Sequence, residues 1–288
     1  MKQLFFFSVL NLITLFSGFS QQQTYTPVSF PNGYQSQIDV VYTQINGWNG
    51  RMDLYTNPEA KTPTPIVINI HGGGWNHGEK ESQSGFGSWF KNGYAVANVE
   101  YRLVDVAPAP AAIEDVRCAL IYVYKNAKTL NIDTNKIVVM GGSSGGHLAL
   151  MTGLLGNDKR FDSNCYFYGN IKVAAIINKY GVTDLAPLAA WKSAKNWLGA
   201  RFNNQKFIES VSPIYYITKE SPPIFIVHGD ADPIVPYQQS VVLYEKLKAH
   251  NVTTEFLTIP GGNHGKFTKE QNDLFSNKMW AFLKELGL

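Results

Sequence analysis

One short segment of the sequence contains the residue types and spacing that nucleophilic catalysis needs. Gly-Ser-Ser-Gly-Gly at 142–146 follows an apolar, β-branched run at 136–140 and precedes an apolar run at 147–155. A Gly-x-Ser-x-Gly pattern between a strand and a helix is typical of a nucleophile elbow, a sharp turn that presents the serine hydroxyl. Aligned on residues 142–146, the pattern predicts Ser144 as the nucleophile. Ser143, beside the apex of the turn, is expected to point away from the site.

A serine hydroxyl is a weak nucleophile, so the chemistry also requires a base to take its proton. His264 is predicted to be this base, because it lies in a Gly-Gly-Asn-His-Gly loop after the last predicted strand. A flexible loop there can place the imidazole over the edge of the sheet. Three other histidines are expected to have structural roles. His147 is expected to pack or cap its helix, His228 to hydrogen-bond to backbone, and His250 to suit a helix end.

The acid that orients the base is predicted from the segment His-Gly-Asp-Ala-Asp at 228–232. Asp232 lies further along this turn and is expected to reach His264, whereas Asp230 is expected to stabilise the turn itself. Asp184, after the preceding strand, is a third candidate. The order serine, aspartate, histidine along the chain is the order found in α/β-hydrolases.

Backbone donors for a developing oxyanion are predicted from His-Gly-Gly-Gly-Trp at 71–75, directly after a predicted strand. Consecutive glycines remove the side chains that would cover backbone N–H groups, and they permit unusual dihedral angles. The N–H groups of Gly73, Gly74 and Gly145 are therefore predicted to form an oxyanion hole. The alternative, a phosphate-binding loop, lacks the Lys-Ser/Thr ending of that motif.

Other chemistries have little support in the sequence. His71 and His77 have no carboxylate or cysteine partner at metal-ligand spacing, so no metal or organic cofactor is predicted. The formal net charge is only +3, and the lysines and arginines are scattered, which argues against nucleic-acid binding. The oligomeric state is left open.

The elements that must position these residues alternate between strand and helix. This alternation predicts an α/β fold, with a mostly parallel sheet of about eight strands, an antiparallel start and helices on both faces. The predicted strands span 36–42, 51–55, 66–70, 94–99, 136–140, 172–178, 224–228 and 253–259. The predicted helices span 82–92, 111–128, 147–155, 237–250 and 270–286.

The segment 184–222 interrupts the alternation and is rich in aromatic residues. It is either a small cap over the edge of the sheet where ligands bind, or an ordinary surface segment whose aromatic side chains face the core. Under the first interpretation, Trp191 and Trp197 from this segment and Trp75 from the glycine-rich loop contact the substrate.

The N-terminal sequence and the two cysteines indicate the cellular compartment of the protein. Residues 1–20 combine a charged start, a short apolar stretch and small residues, which predicts a secretory signal peptide and a secreted or periplasmic protein without stable membrane insertion. An uncleaved anchor or a buried helix is the alternative. Residues 21–35 are predicted to be a lead-in segment, and residues 36–288 are predicted to form an α/β-hydrolase catalytic domain. Export permits a disulfide between Cys118 and Cys165, although a buried free thiol is equally ordinary.

Seven motifs in this order resemble those of a known family. They are His-Gly-Gly-Gly-Trp at 71–75, Tyr-Arg-Leu at 101–103, Ile-Glu-Asp-Val at 113–116, Gly-Ser-Ser-Gly-Gly at 142–146, Tyr-Gly at 180–181, His-Gly-Asp-Ala-Asp at 228–232 and Gly-Asn-His at 262–264. From about Ser36 to the C-terminus, the chain resembles the esterase branch of the α/β-hydrolases related to hormone-sensitive lipase. The likeness is greatest to small bacterial carboxylesterases that include acetyl-xylan and feruloyl esterases.

The resemblance implies a serine carboxylesterase for short-acyl or aryl esters, with a triad of Ser144, Asp232 and His264. It also implies that Arg102 and Asp115 hold the scaffold around the pocket. Two other functions stay open. An amide hydrolase on the same fold resembles the chain in several motifs, and a catalytically silent binding module would keep the scaffold without the reaction.

Overall fold

The computed structural model describes residues 24–288, so the predicted signal peptide lies outside the described residues. Eight strands form one sheet in the order β1-β2-β4-β3-β5-β6-β7-β8. They are β1 (Gln35–Ile45), β2 (Trp48–Thr56), β3 (Thr64–Ile70), β4 (Ala95–Val99), β5 (Ile132–Gly142), β6 (Ala175–Lys179), β7 (Ile224–Gly229) and β8 (Thr254–Ile259). The pairs β1·β2 and β2·β4 are antiparallel and all others are parallel, as predicted.

Seven α-helices accompany these strands within residues 24–288. They are α1 (Gly87–Lys91), α2 (Ala111–Asn126), α3 (Ser144–Leu154), α4 (Lys192–Leu198), α5 (Gln205–Ser210), α6 (Gln238–Ala249) and α7 (Lys269–Glu285). None of the helices in this range is both long and apolar enough to cross a membrane.

Strands β3 and β4 are buried along almost their whole length because helices cover both faces of the sheet. Six of the seven residues of β3 and all five residues of β4 are buried. Helix α3 begins directly after the C-terminal end of β5 and is buried along its entire length. This burial fixes the start of α3, and therefore the elbow, with respect to the ends of the neighbouring strands.

Two predicted elements are shorter than expected. The predicted helix at 82–92 is a 3-10 turn at Lys80–Ser82 followed by the five-residue α1. Glycines at 85 and 87 interrupt its helical pattern, and glycine disfavours a helix interior. The predicted strand at 172–178 begins only at Ala175, because residues 172–174 lead into the sheet without pairing along it.

The segment 184–222 consists of α4, α5 and three 3-10 turns. Part of it packs into the main core through Trp197, Leu198 and Ile208, and part of it faces the cavity described below. Both interpretations made from the sequence therefore describe a portion of this segment.

Cys118 on α2 and Cys165, in the loop that follows α3, form a disulfide that joins residues 47 apart in the sequence. Of the two alternatives that the sequence left open, the structure has the disulfide. It links a central helix to a surface loop on the flank of the sheet.

Candidate active site

A cavity of about 550 Å³ opens at the C-terminal edge of the parallel strands. Its wall is formed by the glycine-rich loop after β3, the elbow between β5 and α3, the end of β6, the segment 184–222 and the loop after β8. Side chains that are far apart in sequence meet there because parallel strands all end at the same edge of the sheet.

The prediction that Ser144 is the nucleophile is wrong on structural grounds. Ser144 is the first residue of α3, is only 1% exposed, and its Oγ is enclosed without a hydrogen-bond partner. The nearby Tyr101 hydroxyl donates to the His71 carbonyl oxygen at 3.1 Å, and burial raises the pKa of Tyr101. A hydroxyl enclosed in this way cannot reach a substrate carbonyl in the cavity.

Ser143 occupies the apex of the elbow instead. Its backbone has φ 58° and ψ −125°, a strained combination for a residue with a side chain. Ser143 is partly exposed and contributes to the cavity wall. This is the conformation that a nucleophile elbow requires, since the strained turn holds the side chain out of the fold.

The packing of two glycines explains the error. The sequence fits Gly-x-Ser-x-Gly twice, once at 142–146 and once, one residue earlier, at 141–145. A Cβ built on Gly141 would lie 2.2 Å from the Gly145 carbonyl oxygen, so these two glycines touch across the turn and neither tolerates a side chain. Together with the strained backbone of Ser143, this contact centres the motif at 141–145 on Ser143.

His264 and Asp232 are brought together as predicted from their motifs. His264 Nδ1 lies 2.6 Å from Asp232 Oδ2, and the imidazole of His264 also lines the cavity with Ser143. Because a carboxylate only accepts, His264 must carry its proton on Nδ1, which leaves Nε2 as the basic nitrogen. The Tyr180 ring packs edge-on against the imidazole at 4.7 Å between ring centroids.

Asp232 has more hydrogen bonds than the sequence suggested. Burial acts to raise its pKa, but hydrogen bonds from His228, from His264 and from the N–H groups of Val235 and Ile234 outweigh burial and hold the pKa well below its usual range. Asp232 is therefore a permanent anion beside the base, suited to orienting an imidazole and stabilising its charged form.

His228 is a positioning residue that the sequence analysis missed. It is fully buried, with Nε2 3.1 Å from both Asp232 Oδ2 and the Val235 carbonyl oxygen, and Nδ1 2.7 Å from Ser240 Oγ. Two acceptors at Nε2 place the proton there, so His228 donates to Asp232 and accepts from Ser240. The available signal was the His-x-x-x-Asp spacing, which brings both residues to one turn.

The two alternative acids lie elsewhere. Asp230 accepts a hydrogen bond from the Gly261 N–H at 2.7 Å and so ties its turn to the loop that carries His264. Asp184 accepts from the Ala186 N–H at 2.9 Å at the start of a 3-10 turn. Neither carboxylate contacts His264 within the described structure.

The glycine-rich loop and the start of α3 border the cavity with residues whose N–H groups could serve as donors. Gly73 and Gly74 line the cavity in backbone conformations with positive φ, and their N–H groups have no acceptor among residues 24–288. The third donor was predicted at Gly145, as the residue after Ser144. With Ser143 at the apex, the residue after the nucleophile is Ser144, which starts α3 and lines the cavity, so its N–H is the expected third donor.

The glycine-rich loop is anchored through Trp75. The Trp75 indole N–H donates to His147 Nδ1 at 3.3 Å, and His147 Nε2 donates to the Val211 carbonyl oxygen at 2.8 Å. Burial lowers the pKa of His147 to about 4, so the imidazole is neutral at physiological pH and can accept from the indole. The loop, α3 and the segment 184–222 are thereby joined by one chain of hydrogen bonds.

The three tryptophans predicted to contact substrate have different positions. Trp197 is fully buried and stacks on Trp75 with ring centroids 4.7 Å apart, so it lies in the core and its prediction is wrong. Trp75 borders the cavity but is almost wholly buried. Trp191 borders the cavity and is 44% exposed, which leaves it available to a ligand.

The remaining candidates have structural roles. His71 stacks on Tyr101, and His77 lies at the exposed end of the same loop. No group of three metal-ligating side chains exists within residues 24–288. Arg102 forms an ion pair with Asp115 at 2.8 Å and a second with Glu114 at 3.0 Å. This pairing joins the loop after β4 to α2, in keeping with the scaffold role that the family resemblance implies.

Comparison with known proteins agrees with the fold. A family profile described as BD-FAE matches residues 52–247. Esterase LipC of Mycobacterium tuberculosis is 27% identical over 233 residues, which are 74% of this chain and 56% of LipC. The chain spans about half the length of the curated relatives it matches.

Two solved structures are similar over most of the chain. One is a truncated carbohydrate esterase from gut microbiota, with TM-score 0.76 and 27% identity over 93% of this chain and 99% of the other. The second is an acetyl ester-xyloside bifunctional hydrolase from Caldicellulosiruptor lactoaceticus, with TM-score 0.71 and 27% identity over 82% of this chain and 89% of the other. Both support the α/β-hydrolase fold derived from the sheet order.

Proposed function

The chain belongs to the BD-FAE family, and on that premise we propose that it is a serine carboxylesterase with Ser143 as its nucleophile. One observation carries the proposal: the strained Ser143 and the Asp232-bound His264 border the same cavity. Related proteins named as esterases, carbohydrate esterases among them, support ester hydrolysis as the reaction class.

In the proposed reaction, His264 Nε2 takes the proton of the Ser143 hydroxyl as its oxygen attacks the ester carbonyl. The carbonyl oxygen becomes an oxyanion, which the N–H groups of Gly73, Gly74 and Ser144 stabilise; one such donor is worth roughly a hundredfold to a thousandfold in rate. His264 then protonates the departing alcohol. Water enters, gives its proton to His264, and attacks the acyl-enzyme, which releases the acid and restores Ser143.

The proposed substrates are short-acyl or aryl esters, including acetyl or feruloyl groups on plant polysaccharide. Two similar solved structures, a carbohydrate esterase and an acetyl ester-xyloside hydrolase, favour this class. We also propose that the protein is secreted or periplasmic. The Cys118–Cys165 disulfide favours an oxidising compartment, and so does the N-terminal sequence pattern.

The nucleophile is tested by substituting each serine of the elbow separately. Ser143→Ala is expected to lower kcat on 4-nitrophenyl acetate by about 10⁴-fold or more, as loss of a triad member does. Ser144→Ala is the matched control and keeps most of the activity, because it removes only an enclosed hydroxyl with no hydrogen-bond partner. If Ser144→Ala loses the activity and Ser143→Ala keeps it, Ser143 is rejected as the nucleophile in favour of Ser144.

The competing functions are separated by substrate and by labelling. Acetylated xylan and methyl ferulate test the ester reaction, while N-formylkynurenine and short peptides test an amide hydrolase on the same fold. An organophosphate should label the wild type at Ser143. A protein that neither labels nor hydrolyses any of these substrates would be a binding module with a silent site.

A further inference from the structure

Lys179 is a cationic residue of the cavity that the proposed mechanism does not use. It is the last residue of β6, and its Cα pairs with Gly142 of the elbow. Its carbonyl oxygen accepts the Ser143 N–H at 2.9 Å, so its backbone is bonded directly to the proposed nucleophile. The residue is partly buried and forms part of the cavity wall.

The ammonium of Lys179 has no counter-charge within the described part of the chain. It takes part in no hydrogen bond and no ion pair among residues 24–288. The contrast is Lys80, also buried, whose ammonium contacts Asp39 and Asp53 at 2.9 Å each and Glu81 as well. Burial alone lowers the pKa of Lys179, with no neighbouring carboxylate to oppose it.

The wall of the cavity has no acidic side chain to balance this charge. Its titratable residues are His77, Lys179, Tyr180 and His264, and no aspartate or glutamate of residues 24–288 is among them. Asp232, the carboxylate of the proposed triad, has a fully buried side chain and already accepts from two histidines and two backbone N–H groups. Among the described residues, the cavity wall therefore contains a lysine and no carboxylate that pairs with it.

We propose that Lys179 is a specificity residue that binds a carboxylate carried by the ester substrate. A desolvated charge is costly unless it is paired, and a substrate carboxylate supplies the missing partner. Lysine is a compact point charge and suits one monoanionic group. The carboxylate can belong to the acyl group or to the alcohol, for example a uronic acid. This inference rests on the proposed esterase function and refines its substrate class.

The test compares carboxylate esters with neutral amides of the same shape. On the acyl side, the pair is the 4-nitrophenyl monoester of succinic acid and 4-nitrophenyl succinamate, with non-enzymatic hydrolysis subtracted. On the alcohol side, the pair is acetylated glucuronic acid and acetylated glucuronamide. The readout is the ratio of kcat/KM for carboxylate over amide, which a purely structural role of Lys179 would not change.

The wild type is expected to favour the carboxylate by about tenfold or more in at least one pair, and that pair identifies the side of the ester. Lys179→Met abolishes the preference and Lys179→Arg keeps part of it. The matched control is Lys219→Met, which removes the same charge from a side chain that is 82% exposed and outside the cavity, and leaves the ratio unchanged.

Equal hydrolysis of carboxylate and amide by the wild type in both pairs would overturn the inference, and this comparison needs no variant. A ratio that survives Lys179→Met would overturn it as well. If the neutral amide esters are hydrolysed without any carboxylate preference, the esterase proposal stands and the role of Lys179 fails. If none of the four esters is hydrolysed by a folded wild type, both proposals fail.

Discussion

Ser143 has a backbone conformation that costs free energy in any residue with a Cβ. Strain of this kind is worth roughly 1–3 kcal/mol and persists only where surrounding contacts hold it. Here the Ser143 N–H donates to the Lys179 carbonyl oxygen at 2.9 Å, and the His147 N–H donates to the Ser143 carbonyl oxygen at 3.0 Å. The stored strain is thus located at the residue proposed to react.

This strain predicts opposite effects of glycine at the two adjacent serines. Ser143→Gly is expected to be more stable than Ser143→Ala by about 1 kcal/mol, because glycine adopts positive φ without a Cβ penalty. At Ser144, in the first turn of α3, glycine is expected to be less stable than alanine by a similar amount, about 1 kcal/mol. Urea unfolding of the four variants measures both differences. The same sign at both positions would contradict the assignment of the apex to Ser143.

His147 is expected to make the protein less stable in mild acid. Its pKa falls from 6.5 to about 4 on folding because it is buried. Between these values the unfolded chain binds a proton that the folded protein does not, so the free energy of unfolding decreases as the pH falls. The full loss is about 3 kcal/mol, reached near pH 4.

The contribution of His147 is isolated with His147→Gln, which has a polar side chain that does not titrate. Urea unfolding of wild type and variant is measured at intervals from pH 7 to pH 4. In the difference between their free energies of unfolding, the contribution of the carboxylates cancels because they titrate in both proteins. The wild-type curve should fall more steeply between pH 6.5 and 4. Parallel curves would show that His147 is not held neutral by folding.

Among the elements, the glycine-rich loop depends most strictly on its backbone. Gly73 has φ 123°, and a Cβ there would lie 1.9 Å from the His77 carbonyl oxygen. This close approach fixes the backbone of Gly73 and Gly74, whose N–H groups are the proposed donors. It also keeps residues 71–78 folded back against themselves. A side chain at Gly73 therefore disturbs the loop as a unit.

Gly73→Ala is expected to lower kcat by at least about a hundredfold, the effect of losing one oxyanion donor. The loss is expected mainly in kcat, because the donors act on charge that develops in the transition state. Gly85→Ala is the matched control, since a Cβ there meets nothing within 4 Å and its φ is ordinary. Steady-state kinetics on 4-nitrophenyl acetate compare the two. A Gly73→Ala enzyme with unimpaired kcat would remove this loop from the mechanism.

At the scale of the whole molecule, the disulfide cross-links a core helix to the flank of the sheet. Cys118 is fully buried on α2, and Cys165 packs against the core from its loop. Arg117, the residue before Cys118, forms a buried ion pair with Asp162 at 2.8 Å in the same region. The covalent bond and the ion pair together hold the loop that follows α3.

Replacing both cysteines with serine is expected to lower the free energy of unfolding by about 4 kcal/mol, from the chain entropy of a closed loop of 47 residues. Urea unfolding of the double variant and of the oxidised wild type, both without reductant, measures the change. Reducing the wild type with dithiothreitol is an independent route to the same comparison. An unfolding midpoint that neither treatment alters would show that the bond adds nothing to stability.

Most of the fold was predictable from local sequence. Buried β-branched runs, helical periodicity and their alternation indicated eight strands and a parallel sheet with an antiparallel start, because each of these signals reflects the burial of one element. The short α1 was harder to predict, since glycines at 85 and 87 break its pattern. The pairing of Asp232 with His264 was also predictable, because both follow strands that end at the same edge.

The sequence by itself determined which motifs meet at the sheet edge, since alternating strands and helices make the strands parallel and place every βα loop at the same edge. Tertiary structure alone decided which of two adjacent serines occupies the apex, which tryptophan faces the cavity, and that Lys179 has no counter-charge among the described residues. Residue types repeat along a chain, and Gly-x-Ser-x-Gly fits here in two registers. The backbone dihedrals of Ser143 and the burial of Ser144 distinguish them, because a backbone dihedral is set by the atoms packed around it.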